Sequence, residues 1–429
     1  MASNLEQYLN AEVESLHILP ALSAITTDAR DALDVLPLWE KWLRIFWLLG
    51  PFILLIERTP ADFWVSLLAI IFVLRSLFKR DGSWLRNFWV RAGFVFWFWC
   101  IFVSAVSDLP LYSVGEAVAW FRFPLFAMAT VFWLASDKRL LYAMLLSTAI
   151  GITVMCGILT TEILVEGQKG GRLMWPYGDP VPGNYVAKVG LPAFVIMVAL
   201  AVSIKGRIAA LSGFLALITM VISVMTGERI NFLIRACGGM LAGLLWKPKF
   251  GRYMGLVAAE IFAVAAVFSM LPATATRYSN ELIRGATDLD NSGWLKTVNG
   301  GWQLAQDNLL FGIGTGNYRV VAYTGVLDGY DSVRPDVHPH NYYVQLLLET
   351  GFIGFVLGVV FIWSIVWTCF RQCLINRENV FVATAWVIPF GIFWPIATSA
   401  DFFGQWNNVF IWSAVALAIC STNISRNSP

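Results

Sequence analysis

Apolar runs long enough to cross a lipid bilayer recur along most of this chain. A transmembrane helix needs roughly 17 to 25 mainly apolar residues, and about twelve stretches of that kind are present. The composition agrees, because 58% of the residues are hydrophobic and only 14% are charged. We predict an all-α polytopic membrane protein with about 12 transmembrane helices. The predicted spans lie near 40–57, 61–78, 86–107, 114–135, 140–163, 185–204, 207–226, 229–246, 252–271, 342–370, 379–399 and 405–422.

The basic residues of the short loops predict the orientation. If residues 1–36 are cytoplasmic, the inner loops hold Lys79, Arg80, Arg86, Lys138, Arg139, Lys205, Arg207, Lys247, Lys249, Arg252, Arg371 and Arg377. The short outer loops then hold only Arg58, Lys169, Arg172 and Arg229. The positive-inside rule therefore predicts that residues 1–36 and the tail 423–429 are both cytoplasmic. Residues 1–36 lack a basic segment followed by an apolar one, so we expect no cleavable signal peptide.

Two outer loops interrupt the predicted spans. The first covers residues 166–184, within the transmembrane block 37–271, and is rich in Gly and Pro. The second covers 272–340, before the last spans at 341–422, and connections of that length are usually functional or partly folded. Trp294, Val298, Trp302 and Leu304 form an approximate helical stripe in it. The stripe predicts either a helix on the outer membrane face or a small capping subdomain.

Several function classes are disfavoured. A net charge of +2 with no dense Lys/Arg block argues against a nucleic-acid partner. The six cysteines lie in apolar segments or beside their predicted cytoplasmic ends, so no disulfide framework is expected. The segment Gly312-Ile-Gly-Thr-Gly-Asn317 resembles a dinucleotide fingerprint, but it follows no predicted strand. We predict a tight turn there.

Two of the three histidines, His338 and His340, lie where the second outer loop meets a long apolar helix. Histidine exchanges protons near neutral pH, so this junction is the candidate site of chemistry. His340 or Asn341 is the predicted N-cap of the helix. Asn341, Gln345 and Glu349 recur every four residues on one face, which places Glu349 about 12 Å from the helix start. A carboxylate at that depth must pair with a cation, line a polar cavity or lock the helix against its neighbours.

Basic residues near the predicted outer boundary form a second group: Arg122, Arg172, Lys188, Arg229, Arg235 and Arg284. A buried cation is costly unless it meets an anion, and the planar fork of Arg suits phosphate. Some of these residues would pair with Glu116, Glu228 or Glu349, or extend to lipid headgroups. The others predict a site for a lipid-linked phosphate or pyrophosphate sugar donor.

A metal site is a weaker hypothesis. Asp336, His338 and His340 alternate, so an extended segment would place all three on one side. A catalytic zinc site would also need a further ligand and ordered outer partners, which the spacing does not supply. We therefore predict a metal-free proton acceptor.

Four segments together resemble the O-antigen ligase and polymerase superfamily. They are Pro182-Gly-Asn184, Arg229-Ile-Asn-Phe-Leu233, Asp307-Asn-Leu-Leu-Phe-Gly-Ile-Gly-Thr-Gly-Asn317, and His338-Pro-His340-Asn341 followed by Gln345, Glu349, Gly351 and Gly354. The motifs cover roughly the second half of the chain, and the layout of about twelve spans with one dominant periplasmic loop covers all of it. One departure is Trp294, because related proteins often carry an Arg after the Ser-Gly pair at 292–293. Lys296 or Arg284 would then supply that charge.

The resemblance implies an inverting glycosyltransferase of the Gram-negative inner membrane that needs no metal, cofactor or nucleotide sugar. It would transfer O-antigen polysaccharide from undecaprenyl pyrophosphate to lipid A-core on the periplasmic face, a step of lipopolysaccharide biosynthesis. His338 would deprotonate or orient the acceptor hydroxyl, with His340 and Asn341 holding the turn. Arg229, Arg172 and Arg284 would bind the pyrophosphate, and the apolar walls would hold the lipid chains.

Three other functions stay open at this stage. An O-antigen polymerase would use the same donor with a second lipid-linked glycan as acceptor. A protein O-oligosaccharyltransferase would use a peptide acceptor. A secondary transporter would need an internal repeat and a site midway through the membrane, and neither is evident in the sequence.

Overall fold

The computed structural model describes residues 18–287, 293–322, 338–396 and 399–424, apart from the side chains of residues 18, 281–286 and 293. Within these ranges the regular elements are helices, with one isolated antiparallel bridge between Lys169 and Arg172. The described part is therefore all-α, as predicted. Residues 1–17 of the predicted cytoplasmic segment, 288–292 and 323–337 of the predicted long loop, 397–398 of the predicted last spans and 425–429 of the predicted tail lie outside it.

The helices follow the chain in this order. The first half contains α1 (Ile18–Asp34), α2 (Leu38–Leu48), α3 (Gly50–Ile56), α4 (Arg58–Lys79), α5 (Phe88–Ala105), α6 (Pro110–Trp120), α7 (Arg122–Ala129), α8 (Lys138–Val165) and α9 (Leu191–Ser203). The second half contains α10 (Arg207–Met225), α11 (Arg229–Leu245), α12 (Phe250–Met270), α13 (Pro272–Thr287), α14 (Gly293–Asp307), α15 (Tyr318–Val321), α16 (Tyr342–Ile375), α17 (Val380–Ala385), α18 (Val387–Ile392) and α19 (Gln405–Asn423). A π-helical turn at Thr130–Leu134 extends α7, and another at Tyr185–Val189 precedes α9.

Seven helical segments of the described residues are long and apolar enough to cross a membrane. They are α4, α5, Pro110–Leu134, α8, α10, α12 and α16. The segment Pro182–Val189 and α9, which meet at 55°, make an eighth if they form one span. The structure thus supports a polytopic membrane protein, but by this measure it has fewer spans than the twelve predicted.

The other predicted spans are helical but fall short for identifiable reasons. The stretch 40–57 is divided at Leu49, just before Gly50-Pro51, into α2 and α3, and 379–399 contains the two short helices α17 and α18. Helix α11 has 17 residues and carries Arg229 and Arg235. Helix α19 is long enough but polar at its start, with Gln405, Asn407 and Asn408. These four stretches fall short of the length or the apolar composition of a single unbroken span, so the count of twelve stays a prediction.

Helix α19 forms the core of the bundle. Every residue from Asn408 to Thr422 is buried, against α7, α16, α17, α18 and other helices. A helix enclosed by protein needs no apolar surface for lipid, so polar side chains are tolerated where they find partners. Trp412 Nε1 donates to Asn408 Oδ1 at 3.0 Å, and Trp120 Nε1 donates to Phe402 O at 3.0 Å just before the helix. The buried aromatic rings are thus fixed by hydrogen bonds as well as by packing.

The predicted glycine turn is confirmed, and it packs into a break in α16. Gly312, Gly314 and Gly316 all have positive φ, and Gly351 inside α16 has φ +67° and ψ −177°. The break frees carbonyl groups, and two backbone N–H groups of the turn bind them: Ile313 N donates to Leu348 O at 2.9 Å and Gly314 N to Glu349 O at 3.0 Å. Phe352 N donates to Leu309 O at 2.7 Å. Buried backbone groups must be paired, so the turn and the break stabilise each other.

The predicted loop 272–340 is partly helical, as expected, because it contains α13, α14 and α15. The predicted stripe of Trp294, Val298, Trp302 and Leu304 is helical, because all four residues lie in α14. Leu304 and Ala305 of α14 are buried in a small apolar cluster with Leu347 and Leu348 of α16. Helix α14 therefore packs along the helix that follows the histidines.

We expect Gly351→Ala to destabilise the protein by about 1 to 3 kcal/mol, the range for a strained backbone conformation. An added Cβ at this position would lie 2.2 Å from Leu310 O, and the conformation itself favours glycine. Thermal unfolding of the purified protein in detergent measures the effect. The matched control is Gly157→Ala in α8, where no atom lies within 4 Å of the added Cβ and helix propensity favours Ala. Equal unfolding temperatures for the two variants would contradict the account of the break.

Candidate functional site

His338 and His340 contact each other in the turn before α16. Their ring centroids lie 4.3 Å apart with the planes at 69°. His340 has a φ of +53°, which few non-glycine residues adopt and which the surroundings must hold in place. Asn341 Oδ1 accepts hydrogen bonds from Tyr343 N at 2.9 Å and Val344 N at 3.1 Å. The predicted N-cap is therefore Asn341.

Neighbouring segments hold this turn on several sides. The carbonyl of His340 accepts hydrogen bonds from Ser399 N at 2.9 Å and from Trp294 Nε1 of α14 at 3.3 Å. Gly301 of α14 lies so close to Pro339 that an added Cβ would be 2.6 Å from the proline Cβ. Asn341 Nδ2 donates to Pro395 O at 2.8 Å. The two imidazoles are therefore carried by a rigid turn, as a site that must orient a substrate requires.

The predicted polar face of α16 is satisfied by protein groups. Gln345 Nε2 donates to Asp401 Oδ1 at 2.6 Å, and its Oε1 accepts from Phe402 N at 2.8 Å. Glu349 is 1% exposed and accepts from Gly316 N at 2.8 Å and Tyr318 N at 3.2 Å. Both Glu349 contacts belong to the glycine turn described above. The structure shows protein partners for Glu349, and the substrate-binding role predicted for it stays a prediction.

Sequence reasoning missed Arg319 and Asp401, which extend this polar face. Arg319 Nη2 lies 2.5 Å from Asp401 Oδ2, and its Nη1 lies 3.9 Å from Glu116 Oε2. Burial alone would lower the pKa of the Arg319 guanidinium, but Asp401 and Glu116 outweigh it and the net shift is upward. The side chain is 27% exposed. Arg319 lies two residues after Asn317, the end of the glycine turn, which was a sequence signal, but nothing local linked it to Asp401.

Lys188 lies within the bend before α9 and reaches the start of α16 through a chain of hydrogen bonds. Its Nζ donates to Asn184 Oδ1 at 2.7 Å and also to Asn407 Oδ1. Asn407 Nδ2 then donates to the Tyr342 hydroxyl at 3.2 Å, one residue after the N-cap of α16. The structure therefore connects the Pro182–Asn184 motif with the His338–Asn341 motif.

Arg229 and Arg172 are brought close together at the same end of the bundle. Arg172 Nη2 lies 3.3 Å from Glu228 Oε1, next in sequence to Arg229, which is the first residue of α11. Gly227 has a φ of +72°, and an added Cβ there would lie 2.2 Å from Gly171 O. Arg277 Nε of α13 donates to Gly227 O at 2.9 Å. The predicted donor-binding residue Arg284 is also in α13, but its side chain lies outside the described part.

This arginine group borders the Pro182–Asn184 motif. An added Cβ at Gly183 would lie 3.0 Å from Glu228 Cγ and 3.0 Å from Asn231 Nδ2. Asn231 is 1% exposed, two residues after Arg229. A continuous set of contacts thus runs from Arg172 and Glu228, past Gly183, through Lys188 and Asn407, to the helix that the histidines precede.

Arg122 and Arg235 have other partners. Arg122 Nη2 lies 3.3 Å from Asp62 Oδ1, and its guanidinium lies 4.8 Å from the Phe123 ring centroid. Arg235 is fully buried, and its Nη1 donates to Val186 O at 2.8 Å. Its guanidinium lies 3.9 Å over the Phe194 ring. No described contact connects Arg122 or Arg235 with the set of contacts that links Arg172 to the histidine turn. The structure therefore does not bring all six predicted cations together.

The described residues contain no group of three or more His, Cys, Asp and Glu side chains that could hold a metal ion. Asp336, the third member of the metal hypothesis, lies outside the described residues. The described contacts of the histidine turn are with the Trp294 indole, the Asn341 amide and backbone groups. Such a site suits proton transfer and the binding of an anionic substrate.

Fold and site together define a class: a helical polytopic membrane protein with a histidine, lysine, arginine and amide site at one end of its bundle. Residues 213–359 match the family model Wzy_C, described as O-Antigen ligase. The match includes Arg229, the histidine turn and Glu349. This match, over about a third of the chain, confirms the predicted resemblance to the O-antigen ligase superfamily.

A chain in the structure described as "Structural coordination of polymerization and crosslinking by a peptidoglycan synthase complex" is 13% identical with a TM-score of 0.47. That similarity covers 79% of the present chain and 98% of the other. No curated protein matches the chain significantly.

We expect Glu349→Ala to destabilise the protein by about 1 to 3 kcal/mol for each N–H group left unpaired, and Glu349→Gln to cost less. The reason is that the carboxylate binds the turn at Gly316 and Tyr318. Thermal unfolding in detergent gives the stabilities, and hydrogen exchange at these two amides reports the local opening. If Glu349→Ala unfolded like the wild type but bound donor poorly, the result would contradict this supporting role and favour the predicted substrate-binding role.

Proposed function

We propose that the protein is a metal-independent inverting glycosyltransferase that transfers O-antigen polysaccharide from undecaprenyl pyrophosphate to lipid A-core. It would act on the periplasmic face of the inner membrane of a Gram-negative bacterium, with both termini cytoplasmic. The match of residues 213–359 to the O-antigen ligase family model supports the general class of reaction. The positive-inside pattern of the loops supports the orientation.

One structural observation supports the proposal in addition to the family match. The contacts from Arg172 and Glu228 to Lys188, Asn407 and Tyr342 run between the start of α11 and the start of α16. Cations that could bind a pyrophosphate and histidines that could accept a proton thus share one end of the bundle. A glycosyl transfer from a lipid pyrophosphate to a hydroxyl needs both kinds of group.

In the proposed reaction, an acceptor hydroxyl oxygen attacks the anomeric carbon of the donor sugar. The bond from that carbon to the pyrophosphate oxygen breaks, and undecaprenyl pyrophosphate leaves. His338 takes the hydroxyl proton, through Nε2, because its Nδ1 is buried. Attack opposite the leaving group inverts the anomeric centre.

The other site residues position the reactants. His340 and Asn341 hold the turn that carries His338, through the contacts to Trp294, Ser399 and Pro395. Arg229 and Arg172, with Arg284, bind the pyrophosphate and stabilise the charge that it gains on leaving. We assign Arg235 and Glu349 to the support of the bundle rather than to substrate, because their described hydrogen bonds go to protein groups.

We expect His338→Ala to abolish transfer while the protein stays folded and binds donor normally, because the proposed base acts on the acceptor. Purified protein with lipid-linked O-antigen and lipid A-core provides the assay, and product is detected on gels. A separate binding measurement follows the donor. Arg229→Ala, by contrast, should weaken donor binding as well as turnover, and Lys169→Ala, an exposed cation of the loop at 166–181, should change neither.

Full transfer by His338→Ala would exclude the assigned base. Loss of wild-type transfer in a chelator, with recovery on adding a divalent cation, would instead support the metal hypothesis. Normal donor binding by Arg229→Ala would remove that residue from the pyrophosphate site and leave the assignment of His338 intact.

The main competing function is O-antigen polymerase, which the superfamily also contains. If the protein is the ligase, a deletion strain should accumulate long O-antigen that remains on its lipid carrier. A polymerase deletion should instead leave single repeat units attached to lipid A-core. The band pattern of extracted lipopolysaccharide distinguishes these outcomes, and complementation by the intact chain but not by His338→Ala is the control.

A further inference from the structure

An open cavity of about 410 Å³ lies at the opposite end of the bundle from the histidines, between α9, α10 and α12. The α9–α10 turn and the α11–α12 turn are joined there, because Lys249 N donates to Val202 O at 3.1 Å and Ser203 Oγ donates to Trp246 O. The positive-inside pattern predicts that this end is cytoplasmic. None of the residues assigned to glycosyl transfer lines this cavity.

The rim of the cavity is basic. Lys205 and Arg252 line it, and Arg252 Nη1 donates to Ile204 O, which holds the arginine at the turn. The sequences 201–215 and 246–256, which form this end of the three helices, contain no Asp or Glu, and the Glu378 carboxylate that contacts this end is paired with Lys247 at 2.8 Å. The rim therefore has the charge that attracts an anionic group at a membrane surface.

The wall of the cavity is apolar and made of small side chains. Ala209, Ala210 and Gly213 of α10 face Ala201 of α9, and Leu256 of α12 closes the other side. Phe214, also at the cavity, is 59% exposed. Small residues on neighbouring helices leave a groove between them, and exposed apolar rings beside it favour contact with hydrocarbon. The cavity thus combines a cationic rim with an apolar groove between spanning helices.

We propose that this cavity binds an anionic phospholipid of the surrounding leaflet. The phosphate of the headgroup lies against Lys205 and Arg252, and one acyl chain lies along the small residues of α9 and α10. Basic pockets between transmembrane helices on the cytoplasmic side are known to bind such headgroups. The site is separate from the proposed transferase site, so a negative result for lipid binding would leave the proposed function unaffected.

Native mass spectrometry of the full purified chain in detergent tests the site, with phosphatidylglycerol and phosphatidylcholine as the two probes. We expect preferential retention of phosphatidylglycerol, and Lys205→Ala should weaken its binding roughly fivefold, the loss expected for one cation at an anionic surface. Arg371→Ala is the matched control and should leave binding unchanged. It removes an exposed cation near the C-terminal end of α16, which is predicted to lie on the same side of the membrane as the cavity.

A second pair of variants tests the groove without changing charge. Gly213→Leu should obstruct the acyl chain and weaken phosphatidylglycerol binding, whereas Gly213→Ala should not, because its Cβ would lie 3.5 Å from Ala201 Cβ. Equal binding of the two lipids, or equal losses for Lys205→Ala and Arg371→Ala, would overturn the proposal. Binding of glycerol phosphate as tight as that of the lipid would also overturn it, because the site would then hold a phosphate without a lipid chain.

Discussion

Broken helices inside an apolar bundle must have their backbone groups paired, and this requirement organises the structure. At Gly351, the turn at 309–314 supplies the missing partners. At the bend before α9, Arg235 donates to Val186 O. Around the break between α2 and α3, Ser147 Oγ donates to Leu48 O at 2.6 Å and the Tyr185 hydroxyl to Pro51 O at 2.7 Å. Near the end of α3, the Tyr177 hydroxyl donates to Leu54 O at 2.5 Å. Irregular backbone at membrane depth is tolerated only where protein groups or water pair it.

This requirement changes how ionisable residues within apolar segments are interpreted. Such residues are functional candidates by default, and Glu349 and Arg235 met that criterion in the sequence. In the structure both bind backbone groups at helix breaks. Lys188 differs, because its amide partners Asn184 and Asn407 lead to the start of α16. The partner of a buried charge, rather than its depth, therefore separates a supporting residue from a candidate ligand contact.

Features set by neighbouring residues were predictable from the sequence. The N-cap at Asn341, the glycine turn at 312–317 and helix α14 follow from local geometry and periodicity. Features set by distant residues were not. Gly351 was noted only as part of a motif, because its role depends on Leu310, which the turn brings into contact. The Arg319–Asp401 pair joins residues 82 positions apart, and no local pattern specifies it.

The Trp at position 294 shows how a departure from a family pattern can acquire a structural reason. Related proteins often carry an Arg there, and its charge was expected to come from Lys296 or Arg284 instead. Trp294 Nε1 donates to the His340 carbonyl at 3.3 Å. The indole N–H is a donor with a large apolar body, so it can fix the turn while packing on it. At this position the chain therefore has a contact to the histidine turn in place of a cation.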